Sequence, residues 1–355
     1  MPSPARLDSV DALRGLTVAA MLLVNDAGDW GHVYAPLEHA AWHGCTPTDL
    51  IFPFFLFIVG VSLSLSLGPR LEAGADPAAL RRAVWVRALR IVLLGLALHA
   101  VAYWAMGARA FRPFGVLQRI GLCFAAAGLL AIHTRPRTQW WLIAITLLGY
   151  WWLLLGGGSL SKEANLASRI DTALLGRFAY EFDPVTGRGH DPEGLLSTWP
   201  AIATTLLGVR AGDWLRRGAA GRLWQAGLVA LAAGAAWSLV FPLNKQLWTS
   251  SYVLWSGGWA LLALWAAHLA VDRRGWPAIG RGFGVNAIAA YAGSWLMVCA
   301  LEALGWGSPI YAHGFAWMTP RTGPYLPSLA YALAFVALWW GLMALLDRRR
   351  IRFKV

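Results

Sequence analysis

The chain has 355 residues, of which 58% are hydrophobic and only 14% charged, and its mean hydropathy is +0.52. Soluble domains average roughly 25% charged residues, so this composition excludes an ordinary soluble protein and predicts an all-α integral membrane protein. The net charge of +12 is spread over short loops between apolar runs, which is the pattern of a membrane chain and gives no reason to expect a nucleic-acid partner.

Runs of roughly 18 or more mainly apolar residues predict a polytopic bundle of about ten transmembrane helices. They fall at 10–29, 48–68, 84–106, 114–133, 139–156, 195–215, 222–242, 250–271, 282–304 and 325–347. The first begins beside Asp8 and Asp11 with no small-residue cleavage site after it, and is read as a retained signal anchor. Arg6, Arg70, Arg81, Arg82, Arg135, Arg137, Arg216, Arg217, Arg273, Arg274 and the basic tail from Arg348 to Lys354 fall on one side of the predicted bundle. The opposite loops are poorer in basic residues, though Arg109, Arg112, Arg169 and Lys245 lie there. Basic loops prefer the cytoplasm, so both termini are expected inside. One domain, 1–355, accounts for the chain, with outer loops near 30–47 and 157–194.

Along the chain, Asp11 and Arg14 lie at the inner end of the first span and Asn25-Asp26 at its outer end. The outer loop then holds a polar knot, His39 to Asp49, which runs directly into the uncharged second span. Ionisable groups at membrane depth suggest function. A histidine is the natural proton acceptor near neutral pH, a carboxylate such as Asp49 can fix its tautomer, and an Asn can hold a carbonyl oxygen or an amine. The plainer alternative is that His39 only caps a helix and that Thr48 or Asp49 serves as the N-cap of the second span.

Further on, Gln118 and Arg119 open the fourth span, Arg119 about a turn and a half inside it. Such an arginine needs a carboxylate, a carbonyl or a ligand phosphate, and otherwise snorkels or pairs structurally with Asp49. Asp191-Pro192-Glu193-Gly194 precedes the sixth span, and Asn244-Lys245-Gln246-Leu247-Trp248 leads towards Tyr252 in the eighth. Aromatic rings beside hydrogen-bonding groups suit a sugar, and Trp248 and Tyr252 equally suit interfacial anchoring. Asn286, in the ninth span, predicts an interhelical hydrogen bond or a ligand contact. Cys45, Cys123 and Cys299 are far apart with no CxxC, so no disulfide framework is expected. No P-loop, nucleophile elbow or HExxH motif occurs, and no metal site is expected.

Taken in order, several blocks resemble the heparan-α-glucosaminide N-acetyltransferase family and its short bacterial relatives. They are RLDSVDALRGLTVAAMLLVN (Arg6 to Asn25), HAAWHGCTPTDLIFPFFLFIVG (His39 to Gly60), FGVLQRIG (Phe114 to Gly121), DPEGLLST (Asp191 to Thr198), LGVRAGDWL (Leu207 to Leu215), PLNKQLWTSSYV (Pro242 to Val253) and GVNAIAAY (Gly284 to Tyr291). The resemblance implies acetyl transfer from cytosolic acetyl-CoA to a terminal glucosamine amine across the membrane. The family's HAxWxG histidine falls at His39, its partner asparagine at Asn25 and the motif aspartate at Asp49. Two departures accompany it: the animal enzymes' large luminal N-terminal domain has no counterpart here, and the segment from Asn25 to His39 is longer.

The resulting expectation is a bacterial inner-membrane acyltransferase. Its catalytic residues are His39, Asn25 and Asp49, with Arg14, Gln118, Arg119 and Asn286 towards coenzyme A and Glu193, Asn244, Lys245, Trp248 and Tyr252 towards the amino sugar. His39 either takes the amine's proton or is itself acetylated. A permease for N-acetylglucosamine or an oligosaccharide is the alternative, an envelope-glycan acyltransferase is a third reading, and a homodimer is compatible with any of them.

Overall fold

The computed structural model describes residues 7–107 and 110–353. Arg6, Arg109 and Lys354, used in the charge map, lie outside them. Helices dominate: α1 (Asp8–Asn25), α2 (Ile51–Glu72), α3 (Pro77–Ala105), α4 (Val116–His133) and α5 (Pro136–Gly156) come first. A short helix α6 (Leu166–Leu175) and a hairpin of β1 (Glu181–Asp183) and β2 (Arg188–His190) follow. Then come α7 (Leu195–Arg216), α8 (Gly221–Ser238), α9 (Ser250–Ala267), α10 (Arg281–Val285), α11 (Ala287–Ala303), α12 (Gly307–Gly314), α13 (Thr319–Thr322) and α14 (Tyr325–Arg348).

Each predicted run is largely helical, but among the described residues six helices are long and apolar enough to cross a membrane, or seven if α11 and the segment after it, bent by 90°, count as one. The helices α1, α7 and α8 do not meet that test, so the fold by itself accounts for six or seven of the ten expected crossings. The predicted 282–304 span is interrupted at Asn286, whose backbone (φ −117°, ψ 32°) ends α10 and begins α11. The 157–194 segment, expected as an outer loop, contains α6 and the antiparallel pairing of Glu181 with His190 and Asp183 with Arg188.

Helix starts follow local chemistry. Asp76 accepts from the amides of Ala78 and Ala79 ahead of Pro77, and Asn165 accepts from Ser168 N at the start of α6. Close packing relies on glycine, as expected where helices associate without water to expel. A Cβ on Gly60 of α2 would stand 1.9 Å from Thr205 O of α7, and one on Gly208 would stand 1.9 Å from Phe57 O. The pair α2–α7 therefore forms a tight central seam, with Leu56, Phe57, Val61, Leu206 and Val209 buried beside it. On the other side, α1 packs against α10 through Gly15 and Gly284. Between these two seams lies the space that holds the candidate site.

Candidate active site

A cavity of about 1530 Å³ runs between α1, α2, α3, α4 and α11. Asn25, His39, Asp49, Glu193 and Lys245 line one end of it, and Asp11, Arg14, Arg70, Arg87 and Phe353 line the other. Asn25 and Arg14 stand on the same helix, about 16 Å apart along its axis at 1.5 Å per residue.

Asp49 organises the His39 end. It is 1% exposed and sits in a short 3-10 turn, Thr48–Leu50, that leads into α2. Its side chain does not cap α2. Instead Oδ2 accepts from Ala40 N (3.1 Å), Thr46 N (3.0 Å) and the Thr46 hydroxyl (3.2 Å), and Oδ1 meets His39 Nδ1 at 2.8 Å. A carboxylate only accepts, so Nδ1 carries the hydrogen, and in the neutral ring the lone pair is on Nε2. The same loop turns at Gly44, whose φ of +122° favours glycine, and Gly44 N donates to Leu243 O at 2.8 Å.

That contact joins the knot to the turn before α9. Leu247 N donates to Asn244 Oδ1 at 2.8 Å, and Asn244 Nδ2 lies 3.3 Å from His43 Nδ1. Trp248 adopts φ +54°, uncommon outside glycine, and its buried indole donates to the Thr204 hydroxyl at 3.0 Å. The turn so held aims Lys245 into the cavity, where Nζ is 3.1 Å from both His39 ring nitrogens and 3.8 Å from Asp49 Oδ1. Burial pushes the Lys245 ammonium below its usual pKa, against the opposing pull of Glu193 and Asp49.

Arg112 gathers the opposite wall. Its guanidinium bonds both Asp191 and Glu193 and lies 4.2 Å from the Tyr180 ring centroid. Burial alone would raise the Glu193 pKa, but Arg112, Arg119 and Lys245 outweigh it and hold the carboxyl low. Above it, Trp42 Nε1 donates to Leu160 O at 2.8 Å, and its ring meets His190 edge-on at 5.3 Å. The 157–194 segment is thereby fastened across the knot.

The other expected site residues lie elsewhere. Gln118, Arg119 and Asn286 are not among the residues lining the cavity. Arg119 is fully buried, donates to Gly194 O (3.1 Å) and Ser197, and packs 5.2 Å from the Trp248 ring, so it ties α4 to the start of α7. Gln118 is 3% exposed and its side-chain amide has no hydrogen-bond partner among the described residues. Asn286 holds the tail, donating to Ile351 O and accepting from Phe353 N, both at 3.1 Å. Asn244, Trp248 and Tyr252 shape the turn from behind, and the Tyr252 hydroxyl donates to Asp49 O at 2.5 Å. Arg14 does face the cavity, and donates to Asp11 (2.9 Å), Gly284 O (3.0 Å) and Ser62 (2.8 Å).

Some lining residues were not singled out as site candidates from sequence: Trp42, Lys162, Tyr180 and Gln246 at the His39 end, and Arg70 and Arg87 at the other. In the sequence Arg70 reads only as a topological charge. Its position in the last turn of α2, one turn after Ser66, was the available signal.

Among the described residues no group of three or more His, Cys, Asp or Glu could hold a metal ion. Arginines at one end, apolar walls and an imidazole–carboxylate pair at the other suit a long anionic ligand reaching a group that can exchange a proton. The volume exceeds the roughly 300–1,000 Å³ of ordinary small-molecule pockets.

Comparisons with known proteins agree on one family. A sequence model described as heparan-alpha-glucosaminide N-acetyltransferase, catalytic, matches residues 6–239. The heparan-alpha-glucosaminide N-acetyltransferase of Homo sapiens is 29% identical over 420 residues, covering 99% of this chain and 60% of that protein. The protein of the same name from Mus musculus is 28% identical over 421 residues, covering 99% and 61%. The chain thus spans about 60% of the length of these curated relatives.

Proposed function

The chain belongs to the heparan-alpha-glucosaminide N-acetyltransferase catalytic family, and from that premise we propose that it transfers acetyl from acetyl-CoA to the amine of an amino sugar. The observation that carries this reading is the His39–Asp49 pair at one end of a cavity whose other end is lined by Arg14, Arg70 and Arg87. Family membership does not favour the permease alternative.

Acetyl-CoA, when bound, supplies a thioester whose carbonyl carbon accepts an amine as the C–S bond breaks and coenzyme A leaves as its thiol. The chain's own groups do the rest. Arg14, Arg70 and Arg87 hold phosphate charge at their end. A glucosamine-type amine is protonated at neutral pH, and His39 Nε2, whose lone pair is fixed by the Nδ1–Asp49 bond, takes that proton. Asp49 stabilises the imidazolium. Asn25, at the end of α1 and lining the same cavity, offers an amide donor to charge developing on the carbonyl oxygen. Glu193, beside Arg112, and Lys245 form the polar wall for the sugar. Direct transfer is preferred, since an acetyl-imidazole on a half-exposed ring would meet water. The proposal includes a ten-crossing topology with both termini cytoplasmic in a bacterial inner membrane.

Purified full-length protein in lipid nanodiscs, given labelled acetyl-CoA and a panel of amino sugars, should yield labelled N-acetyl sugar. Binding of coenzyme A with no transfer to any amine would overturn the reading.

A further inference from the structure

The cavity already contains an amine beside the proposed base. Lys245 Nζ lies 3.1 Å from both His39 ring nitrogens, against the ring and off the Nε2 lone-pair axis. Because Nδ1 is committed to Asp49, Nε2 is the nitrogen left to accept, and Nζ reaches its lone pair by swinging to that edge of the ring. Its side chain is 17% exposed, it lines the cavity with Asn25 and Glu193, and the Asn244–Thr249 turn holds its backbone in place. A primary amine within hydrogen-bond reach of a general base in an acetyl-thioester site has the position and chemistry that the reading above assigns to the acceptor.

We propose that Lys245 is a self-acetylation site: when acetyl-CoA is bound and no amino sugar is present, the enzyme transfers acetyl to Lys245 Nζ. This rests on the acetyl-transfer reading. His39 Nε2 takes one proton from the Lys245 ammonium, leaving a neutral amine. Nζ then bonds to the thioester carbonyl carbon, and the C–S bond breaks. The imidazolium proton goes to the departing coenzyme A thiolate, and the second amine proton is released to water. The balance is one ammonium and one acetyl-CoA giving one acetyl-lysine, one coenzyme A thiol and one proton.

Burial supports the step, since it disfavours the Lys245 cation, and Lys245 and His39 compete for the same proton. The product is an amide, which cannot return its acetyl to an amine under the conditions that formed it. It also removes a positive charge from beside Asp49 and Glu193 and fills the space next to Nε2. Occupancy by an amino sugar would displace Lys245 from His39 and so protect it.

The full-length protein in nanodiscs is incubated with acetyl-CoA alone, and acetyl-lysine is followed by peptide mass spectrometry. Lys162, which lines the same cavity but pairs with Glu181, serves as the internal reference for uncatalysed acetylation. Lys245 should be modified well ahead of Lys162, and His39→Ala should slow that modification by about 10²–10⁴-fold. Sugar transfer should fall in parallel with Lys245 occupancy, and glucosamine added first should suppress the modification. An unmodified Lys245 in protein that acetylates glucosamine would overturn this proposal and leave the function standing. Equal rates at Lys245 and Lys162, or label only on His39, would also overturn it. A protein that binds coenzyme A yet acetylates neither sugar nor lysine would overturn both readings.

Discussion

His39 and Asp49 meet at 2.8 Å across a sharp boundary in exposure, with the imidazole 49% accessible and the carboxylate 1%. The buried partner spends its second oxygen on the loop itself, so it sets both the ring's tautomer and the shape of the knot.

Removing the ring should therefore separate chemistry from binding. His39→Ala is expected to lower acetyl transfer by about 10²–10⁴-fold while coenzyme A affinity stays near wild type, because the arginines at the far end are untouched. Steady-state turnover together with calorimetric titration checks this. Asp49→Asn keeps one accepting oxygen for Ala40 N and Thr46 N, and should fold but lose rate. Near-normal turnover in folded His39→Ala would exclude the base role.

Arg112→Ala should be strongly destabilising. It leaves Asp191 and Glu193 buried without their shared cation, and losing one partner of a buried pair typically costs about 3–5 kcal/mol. Thermal unfolding in nanodiscs measures it. Arg112→Lys should recover only part, since one ammonium cannot match a planar guanidinium that bridges two carboxylates. A melting temperature unchanged in Arg112→Ala would mean that these ion pairs do not hold the 157–194 cap.

Acid should loosen that cap. Burial pushes His190 from 6.5 to about 4, so between those values the lifted or unfolded segment binds a proton that the closed one does not. Stability from this group is complete above pH 6.5, declines as pH falls and is lost below about 4, at most about 3 kcal/mol at 1.36 per pKa unit. Amide exchange over 181–190, corrected for intrinsic chemistry, should rise through this window in the wild type. It should respond much less in His190→Gln. Equal pH response in both would remove His190 as the cause.

Topology can be read chemically. A cysteine placed at 43 should react with a membrane-impermeant maleimide from outside, and one at 350 only from the cytoplasm. The native background is quiet, because Cys123 and Cys299 are buried and burial pushes the Cys45 thiol up to about 12. Labelling of both positions from one side would overturn the proposed orientation.

The helical, membrane-type fold was legible because hydrophobic length is a one-dimensional signal, although six or seven helices among the described residues, not ten, are long and apolar enough to cross a membrane. The knot was legible because His39 and Asp49 lie close in sequence and share one loop. Three-dimensional partners were not. Arg119 and Gln118 looked like ligand contacts because polar groups in an apolar run need partners. Those of Arg119 are Gly194 and Ser197, about 75 residues away in the chain, and Gln118 is buried with no partner among the described residues. Asn286 was expected to bond between helices or to a ligand, and it bonds the tail. Trp248 and Tyr252 have the composition of a sugar platform, but left-handed backbone at Trp248 turns its ring into the core and lets Lys245 face the cavity. Nothing in residue type announces such a turn.

Phe353 both lines the cavity and is tethered through its amide to Asn286. Any ligand that needs the space of that ring competes with two intramolecular hydrogen bonds, and its apparent affinity is the intrinsic value scaled by the fraction of molecules with the tail released. For such a ligand, release of Ile351–Phe353 and occupancy of the cavity are reciprocal: each favours the other by the same free energy.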